Sequence, residues 1–139
     1  MSFKNIVLHH LVKSEDLNHH GTLYAGRAAD WLVEAGDCAA AALSDPEYLV
    51  CFNISGMTFT RPVPKGSIIR YDSQIVKAGS TSLTAYIQVH LVGTEEFVFD
   101  GFMAFVHVDA KGHKAPHNIK IIAETDEEKR LQSMVPKHS

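Results

Sequence analysis

Apolar and polar positions alternate most clearly between residues 81 and 92. The odd-numbered residues from Leu83 to Leu91 are apolar, and the even-numbered residues from Thr84 to His90 carry polar groups. This period of two predicts a strand with one buried face. Similar runs, bounded by Gly, Pro or polar residues, predict four more strands, over residues 3–12, 47–60, 67–78 and 97–108.

The stretch from residue 22 to residue 43 has a different pattern. It is long and rich in alanine, which predicts a helix, and the polar run before Pro46 ends it. Four charged residues interrupt its apolar surface, and their spacing of 3, 4 and 3 keeps them on one stripe: Arg27, Asp30, Glu34 and Asp37. A helix that is apolar over most of its circumference is normally buried, so another element must cover it.

These elements predict an α+β fold in which a curved antiparallel sheet wraps around one long central helix. The 139 residues suit one domain, and no internal repeat or linker divides them. We therefore expect a single domain over residues 1–139. Its polar tail, from about residue 120, predicts a short helix or a frayed end.

Composition and charge exclude several classes of protein. The formal net charge is −3 and no block of Lys and Arg is present, so we expect no nucleic-acid partner. No run of 18 apolar residues predicts a membrane span, and the N-terminus lacks the pattern of a signal peptide. Cys38 and Cys51 belong to no CxxC pair, which favours free thiols in a reducing compartment. We expect a cytoplasmic protein.

Three stretches, in this order, resemble the acyl-CoA thioesterases of the hotdog fold. Residues 15–36 (EDLNHHGTLYAGRAADWLVEAG) are similar to that family's pattern of Asn, two residues, Gly, and then a near Gly-Gly pair that opens a helix. Residues 57–70 (MTFTRPVPKGSIIR) resemble its F-x-x-P-V-x-x-G-D segment. Residues 78–89 (AGSTSLTAYIQV) resemble its G-R-T-S turn and the strand that follows.

The resemblance implies a hotdog fold and hydrolysis of an acyl-CoA substrate to the free acid and CoA. It also implies a homodimer with two sites shared between subunits, often paired again into a tetramer or a hexamer. An antiparallel sheet leaves unpaired edges, and pairing of two edges is the simplest way to cover them.

The resemblance puts the centre of the site at the start of the helix. Gly26 corresponds to the second glycine of the family's pair, Ala25 replaces the first, and Tyr24 precedes them. A helix N-terminus offers free N–H groups and a positive dipole end, which suit a developing oxyanion. Asn18 matches an asparagine that holds the attacking water or the carbonyl in the family. Taken alone, an Asn in this place equally indicates a cap or a turn.

The acidic residue departs from the family's pattern. Family members carry Asp or Glu seven residues after the second glycine, and this position is Val33 here. The next residue, Glu34, is acidic, but an offset of one residue rotates a side chain by about 100° around a helix. Three arrangements stay open: Glu34 is the general base or nucleophile, Asp30 takes that role one turn earlier, or Asn18 and water act without such an acid. Glu34 is the residue that we predict.

The two turns are where the resemblance implies contacts with CoA. Three basic residues are candidates for binding its phosphate groups, with a solvated surface charge as the alternative for each: Arg61, Lys65 and Arg70. Ser80 replaces the arginine of the family's G-R-T-S turn, which removes one expected contact. Thr81 and Ser82 still offer hydroxyl groups.

Nine histidines raise the question of a metal centre. No HExxH motif or Cys/His spacing is present, so we predict no metal and no cofactor. His19 and His20 flank the site loop, and either suits an assisting acid. We group His20 with the substrate-binding residues.

Two other functions stay open. A hotdog dehydratase or hydratase would pair His20 with Glu34, although the H-F-P-G loop of those enzymes is missing. A nonhydrolytic acyl-CoA-binding module is favoured by Val33. The absence of a G-x-S-x-G motif argues against a serine hydrolase.

Overall fold

The computed structural model describes residues 3–137. Its five strands are β1 (Ile6–Leu11), β2 (Leu49–Gly56), β3 (Ile68–Ala78), β4 (Ser82–Leu91) and β5 (Phe97–His107). A long helix, α1 (Ala25–Ala41), lies between β1 and β2 in the chain, and a short one, α2 (Asp126–Ser133), follows β5. Single 3-10 turns, Ser14–Asp16 and Pro46–Tyr48, flank α1.

All five strands form one antiparallel sheet in the order β1-β3-β4-β5-β2. The first two strands in the chain are therefore the two edges of the sheet, and β3, β4 and β5 lie between them. Helix α1 packs across β1, β3, β4 and β5. The predicted α+β class, with an antiparallel sheet packed on one long helix, is confirmed.

Helix α1 buries one face and exposes the other. Its buried residues are small or apolar: Ala28, Trp31, Leu32, Ala35, Gly36, Ala39 and Ala40. Burial of a leucine such as Leu32, which has no exposed surface, stabilises the fold by about 2 kcal/mol. The charged stripe lies on the outside of the helix, with Asp30, Glu34 and Asp37 exposed and Arg27 half-buried.

Several predicted boundaries are wrong by a few residues, and the structure explains two of them. The helix begins at Ala25 instead of residue 22, because the preceding residues are extended and the Leu23 N–H donates to Val63 O at 2.8 Å. Strand β2 ends at Gly56 instead of residue 60. Gly56 (φ 89°) and Met57 (φ 71°) both adopt the left-handed conformation there, which turns the chain out of the strand.

The face of the sheet opposite α1 carries a second apolar cluster. Val76, Tyr86 and Phe102 point to this face, and Leu131 of α2 packs on them. Thr125 caps α2 through a capping box with Glu128, which explains why a short polar segment is helical here. Within residues 3–137, no helix is long and apolar enough to cross a membrane.

Candidate active site

Asn18 ties together the loop between β1 and α1. Its Oδ1 accepts hydrogen bonds from the backbone N–H groups of His20 (2.8 Å) and Thr22 (3.2 Å). Its Nδ2 donates to Thr22 Oγ1 (3.1 Å) and to Leu23 O (3.5 Å). Asn18 therefore has the turn-forming role in this structure, and the same half-buried side chain lines a cavity beside the helix.

This cavity, of about 410 Å³, opens at the N-terminal end of α1. Three of the predicted site residues meet here: Asn18, Ala25 and Arg61. Most of the other lining residues are apolar: Leu23, Ala28, Phe59, Val63, Val98 and Phe99. An apolar cavity that reaches the first turn of a helix suits an apolar group attached to a carbonyl.

Sequence reasoning missed the apolar wall of the cavity. Phe59 packs on Phe99 with ring centroids 4.6 Å apart, and Thr60 Oγ1 donates to Val98 O at 2.7 Å, which anchors residues 59–63 on β5. These residues belong to the stretch that resembles the family's strand and turn. Only the basic residues of that stretch, Arg61, Lys65 and Arg70, were predicted to belong to the site, because a charge indicates a phosphate contact and an apolar residue indicates a core.

The first turn of α1 has free amide groups. The first helical hydrogen bond runs from the Ala28 N–H to Tyr24 O at 3.0 Å, and Tyr24 makes no side-chain cap. The N–H groups of Ala25, Gly26 and Arg27 precede that bond and have no partner within a helix. The Tyr24 ring lies over Gly26, where a Cβ would come within 2.4 Å of Tyr24 Cε2. A larger residue at position 26 would displace the Tyr24 ring, which is 57% exposed.

Gly26, Tyr24 and Asp30 line a different hollow, of about 310 Å³, with Glu15 and Asp16. Asp16 is only 3% exposed. Its carboxylate accepts from the Lys13 N–H at 2.9 Å and lies 3.2 Å from Arg27 Nε. Asp30 is exposed at the rim of this hollow. Within the chain, the structure therefore separates Asp30 from the cavity that Asn18 lines.

Glu34 lies on the side of α1 that faces β1. Its side chain is 58% exposed, and its Oε1 is 4.0 Å from His10 Nε2. The preceding residue, Val33, is partly buried and packs against the main core. Asp37 lies beside Leu49 and Phe105 in a small hollow, and partial burial raises the pKa of its carboxyl group. Within the chain, Glu34 does not line the cavity beside Asn18.

Two of the predicted phosphate ligands are already paired with carboxylates. Arg61 forms an ion pair with Glu96, and its Nε donates to Phe97 O at 2.9 Å. Arg70 binds Asp72 at 2.8 Å and Glu95 at 2.6 Å, and these hydrogen bonds raise the pKa of its guanidinium group.

The third predicted phosphate ligand, Lys65, is exposed in the turn before β3. His20, on the site loop, is also exposed, and its ring lies 3.9 Å from that of His19, centroid to centroid.

Thr81 and Ser82 lie beside a second cavity, of about 440 Å³, which is formed by residues 78–80 and 116–122. His117 Nε2 is 2.8 Å from Ser82 O, and its Nδ1 accepts from the Ile119 N–H at 2.9 Å, so this histidine fastens the segment to β4. Ser82 pairs with Val106, whereas the Asn18 cavity is lined by Val98. Eight residues of strand separate the two positions, which corresponds to about 26 Å.

No group of three or more His, Cys, Asp or Glu side chains within residues 3–137 is arranged to hold a metal ion. Cys38 and Cys51 are both free, and burial raises the pKa of each thiol.

Comparisons with known proteins address the family and the fold of the chain. The sequence model of the thioesterase superfamily matches residues 20–97, which include α1 and the turn before β3 but begin two residues after Asn18. The acyl-CoA thioester hydrolase YciA of Salmonella typhimurium is 28% identical over 121 residues, which are 80% of this chain and 88% of that protein.

Two solved structures are similar over nearly the whole chain. A hexameric acyl-CoA thioesterase superposes with a TM-score of 0.81 at 26% identity, over 93% of this chain and 84% of that one. The acyl-CoA hydrolase of Bacillus cereus superposes with a TM-score of 0.84 at 23% identity, over 94% and 80%. These similarities confirm the hotdog fold.

Proposed function

The chain belongs to the thioesterase superfamily, and on this premise we propose that it hydrolyses acyl-CoA thioesters to the free acid and CoA. The observation that carries the proposal is the apolar cavity at the free N-terminal turn of α1. The 28% identity to an acyl-CoA thioester hydrolase over 88% of its length supports the same reaction.

The free amide groups at the start of α1 are the electrostatic part of this site. As water attacks the thioester carbonyl, negative charge develops on its oxygen, and the N–H groups of Ala25 and Gly26 stabilise that charge. The acyl chain occupies the apolar cavity between Ala28 and Phe59. Asn18 keeps the loop beside the cavity in shape. When substrate binds, its Nδ2 exchanges the long hydrogen bond to Leu23 O (3.5 Å) for one to the water or the carbonyl.

Glu34 is the acidic residue of the proposal. Val33 packs against the core, where a carboxylate would be poorly solvated. The next residue, Glu34, is exposed, which favours it as the catalytic acid. In the reaction, Glu34 takes a proton from the attacking water, the C–O bond forms, and the C–S bond of the tetrahedral intermediate breaks. The leaving CoA thiolate then takes up a proton. Asp30 is the alternative acid.

A site shared between subunits fits the separation of its parts. Glu34 and the Asn18 cavity are apart within one chain, and Thr81 and Ser82 lie about 26 Å along the sheet from that cavity. A second subunit brings a new Glu34 and a new pair of turns to each cavity. Arg61, Lys65 and Arg70 supply positive charge for the CoA phosphates, together with the hydroxyl groups of Thr81 and Ser82. Tyr24 and His20 contact the substrate at the loop.

The edge strand β2 is the dimer interface of this proposal. It pairs with β5 on one side only, and it exposes Val50 (48%), Phe52 (51%) and Ile54 (43%). An unpaired, apolar edge strand is normally covered, and a second copy of the same strand covers it by symmetry. Further pairing of dimers gives a tetramer or a hexamer, and a structurally similar thioesterase is hexameric.

A reducing compartment suits the two free thiols, so the cytoplasm is the proposed location. Burial raises the pKa of each thiol, which favours the protonated, less nucleophilic form.

A panel of acyl-CoAs of increasing chain length tests the activity. Thiol release is followed with a chromogenic disulfide reagent, and a blank without substrate subtracts any signal from Cys38 and Cys51. Steady release of CoA with at least one member supports the proposal. Tight binding without release supports the nonhydrolytic acyl-CoA-binding module instead. Conversion of a hydroxyacyl-CoA to an enoyl-CoA and water, or the reverse, without CoA release supports a dehydratase or hydratase.

A further inference from the structure

His10 interrupts the apolar set of an edge strand. The alternation of β1 turns Ile6, Leu8 and His10 toward the helix, and His9 points the other way. A histidine thus occupies an inward position where the pattern of the strand favours an apolar residue. Its side chain is 20% exposed, and its Nε2 is buried without a hydrogen-bond partner among the described residues.

Aromatic residues hold the His10 ring in a fixed orientation. The ring stacks face to face on Trp31, with centroids 4.2 Å apart and planes 4° from parallel. Tyr71 meets it edge-on at 5.7 Å, and the Tyr71 hydroxyl donates to Ala28 O at 2.9 Å, which fixes that ring against α1. Trp31 and Tyr71 are themselves buried. The imidazole is therefore clamped between the sheet and the helix.

The Nε2 atom of the His10 ring points toward the carboxylate of Glu34. Nε2 lies 4.0 Å from Glu34 Oε1, and Glu34 is exposed, so a small rotation of its side chain brings the two atoms to a hydrogen-bond distance of about 2.9 Å. Burial is the largest effect on His10, and it lowers the pKa of the imidazole. A neutral imidazole carries a proton on one nitrogen and can donate it to a carboxylate.

We propose that His10 is a positioning residue for Glu34, whose carboxylate it holds by donating from Nε2 while Trp31 keeps the imidazole in place. This proposal rests on the role of Glu34 as the acid of the hydrolase. The hydrogen bond occupies one carboxylate oxygen and leaves the other free to take a proton from water. The glutamate is thereby fixed at a helix position where solvent exposure alone would leave it many rotamers.

A fluorescence titration tests the contact without any substrate. Trp31 is the only tryptophan of the chain, and an imidazolium that forms in face-to-face contact with it changes its emission. Four charged or titratable neighbours act on the pKa of His10: Glu34 and Asp16 raise it, and Lys13 and His9 lower it. We expect a midpoint below 6.5 in the wild type and a lower one in Glu34→Gln.

Glu15→Gln is the matched control for the titration, because it removes an exposed carboxylate from the same region and is not among the groups that act on His10. Its midpoint should equal that of the wild type. A Glu34→Gln midpoint that also equals the wild-type value overturns the contact.

Kinetics test the positioning role. His10→Phe keeps a ring against Trp31 and removes the donor, and we expect kcat to fall about tenfold while KM changes less than about twofold. His10→Gln, which retains an N–H donor, should recover part of the loss. His9→Phe, on the opposite face of β1, should have no effect. Unchanged kcat in His10→Phe overturns the proposal.

The two experiments also separate this proposal from the one on which it rests. If Glu34→Gln keeps full turnover, the catalytic role of Glu34 fails, and the positioning role of His10 fails with it, even where the titration midpoint shifts. If Glu34→Gln is inactive but its midpoint is unshifted and His10→Phe is fully active, only the role of His10 is overturned.

Discussion

Gly36 of α1 lies directly against Met103 of β5, so closely that a Cβ at position 36 would be 2.1 Å from Met103 Sδ. Both residues are buried, and Met103 has no exposed surface. The missing side chain at position 36 is what lets the helix approach the middle of the sheet at this point. A glycine inside a helix costs about 1 kcal/mol relative to alanine, and here close packing offsets that cost.

This contact predicts that Gly36→Ala destabilises the protein. The gain in helix propensity is smaller than the cost of forcing a methyl group into a filled core, so we expect a net loss of about 1 to 2 kcal/mol in the free energy of unfolding. Denaturant unfolding measures it. In a Met103→Val background, which removes the sulfur, the same change should cost less. Equal costs in the two backgrounds would show that another contact is responsible.

The choice of acid predicts different effects for two neighbouring carboxylates. Glu34→Gln should lower kcat on the best acyl-CoA by about a hundredfold or more, since a positioned general base contributes on that order. Asp30→Asn should keep most of the activity. Both side chains are exposed, so circular dichroism and sedimentation should match the wild type. The opposite pattern would assign the role to Asp30.

Val33→Asp tests whether the departure from the family's pattern is an adaptation. Because Val33 packs against the core, a carboxylate there is poorly solvated and lies next to Glu34. We expect lower stability and lower activity. Val33→Asn is the control, since it has the same shape without the charge. A rise in hydrolysis with Asp but not with Asn would contradict the role of Glu34 and would indicate that the wild type is a weak hydrolase or a binder.

The proposed interface predicts that a charge on β2 dissociates the dimer. Phe52→Glu puts a carboxylate on the exposed apolar edge strand, and two copies would repel each other across the interface. Sedimentation velocity at micromolar concentration should show a dimer or larger species for the wild type and a monomer for the variant. Val7→Glu, at an exposed position of the opposite edge, should not change the assembly. A wild-type monomer would refute the shared site.

Tyr86 predicts a loss of stability at alkaline pH. Burial and, next, the hydrogen bond from its hydroxyl to Asp100 (2.5 Å) raise its pKa to about 12. The folded state keeps the phenol protonated longer than the unfolded state does. Its contribution to stability is therefore complete below pH 10 and disappears as the pH rises toward about 12.

Tyr86→Phe should make the unfolding free energy fall less steeply over this pH range, at a cost of about 1 kcal/mol at neutral pH for the lost hydrogen bond. Urea unfolding at several pH values measures both effects. Tyr71, whose pKa burial also raises, should maintain part of the alkaline fall in the variant. An unchanged pH dependence would mean that Tyr86 does not contribute.

The sequence by itself determined the elements and the class of the fold. A period of two identified β4, and apolar runs bounded by Gly, Pro or polar residues identified the other strands. The apolar surface of the helix predicted over residues 22–43 required another element to cover it. Both patterns reflect which side chains are buried away from water on folding, and the hydrophobicity of each residue can be read directly from the sequence. The errors lie at the ends of elements. Gly56 is a signal that a strand can end, but Met57 has a side chain that gives no warning of a left-handed backbone.

For the site, the sequence grouped residues that are close in the chain. Asn18 and Ala25 belong to one stretch of loop and helix, and the structure brings them to the same cavity. Residues 59–63 complete its wall only because β2 lies beside β5 and the chain continues along β5 after β2 ends, where the Thr60 N–H donates to Val98 O. In the sequence, the apolar side chains of a cavity wall cannot be distinguished from those of a hydrophobic core. Composition therefore could not identify Phe59 as part of a site.

Only the tertiary structure decided what Glu34 faces. Helical spacing puts Glu34 on the polar stripe of α1, but it does not say which strand lies beside that stripe. The strand is β1, whose His10 is 24 positions away in the chain, and the order of the sheet makes β1 an edge next to the helix. Periodicity is a local property of the chain. The contact between His10 and Glu34 instead depends on how distant segments pack together, which is determined by the packing of the whole core.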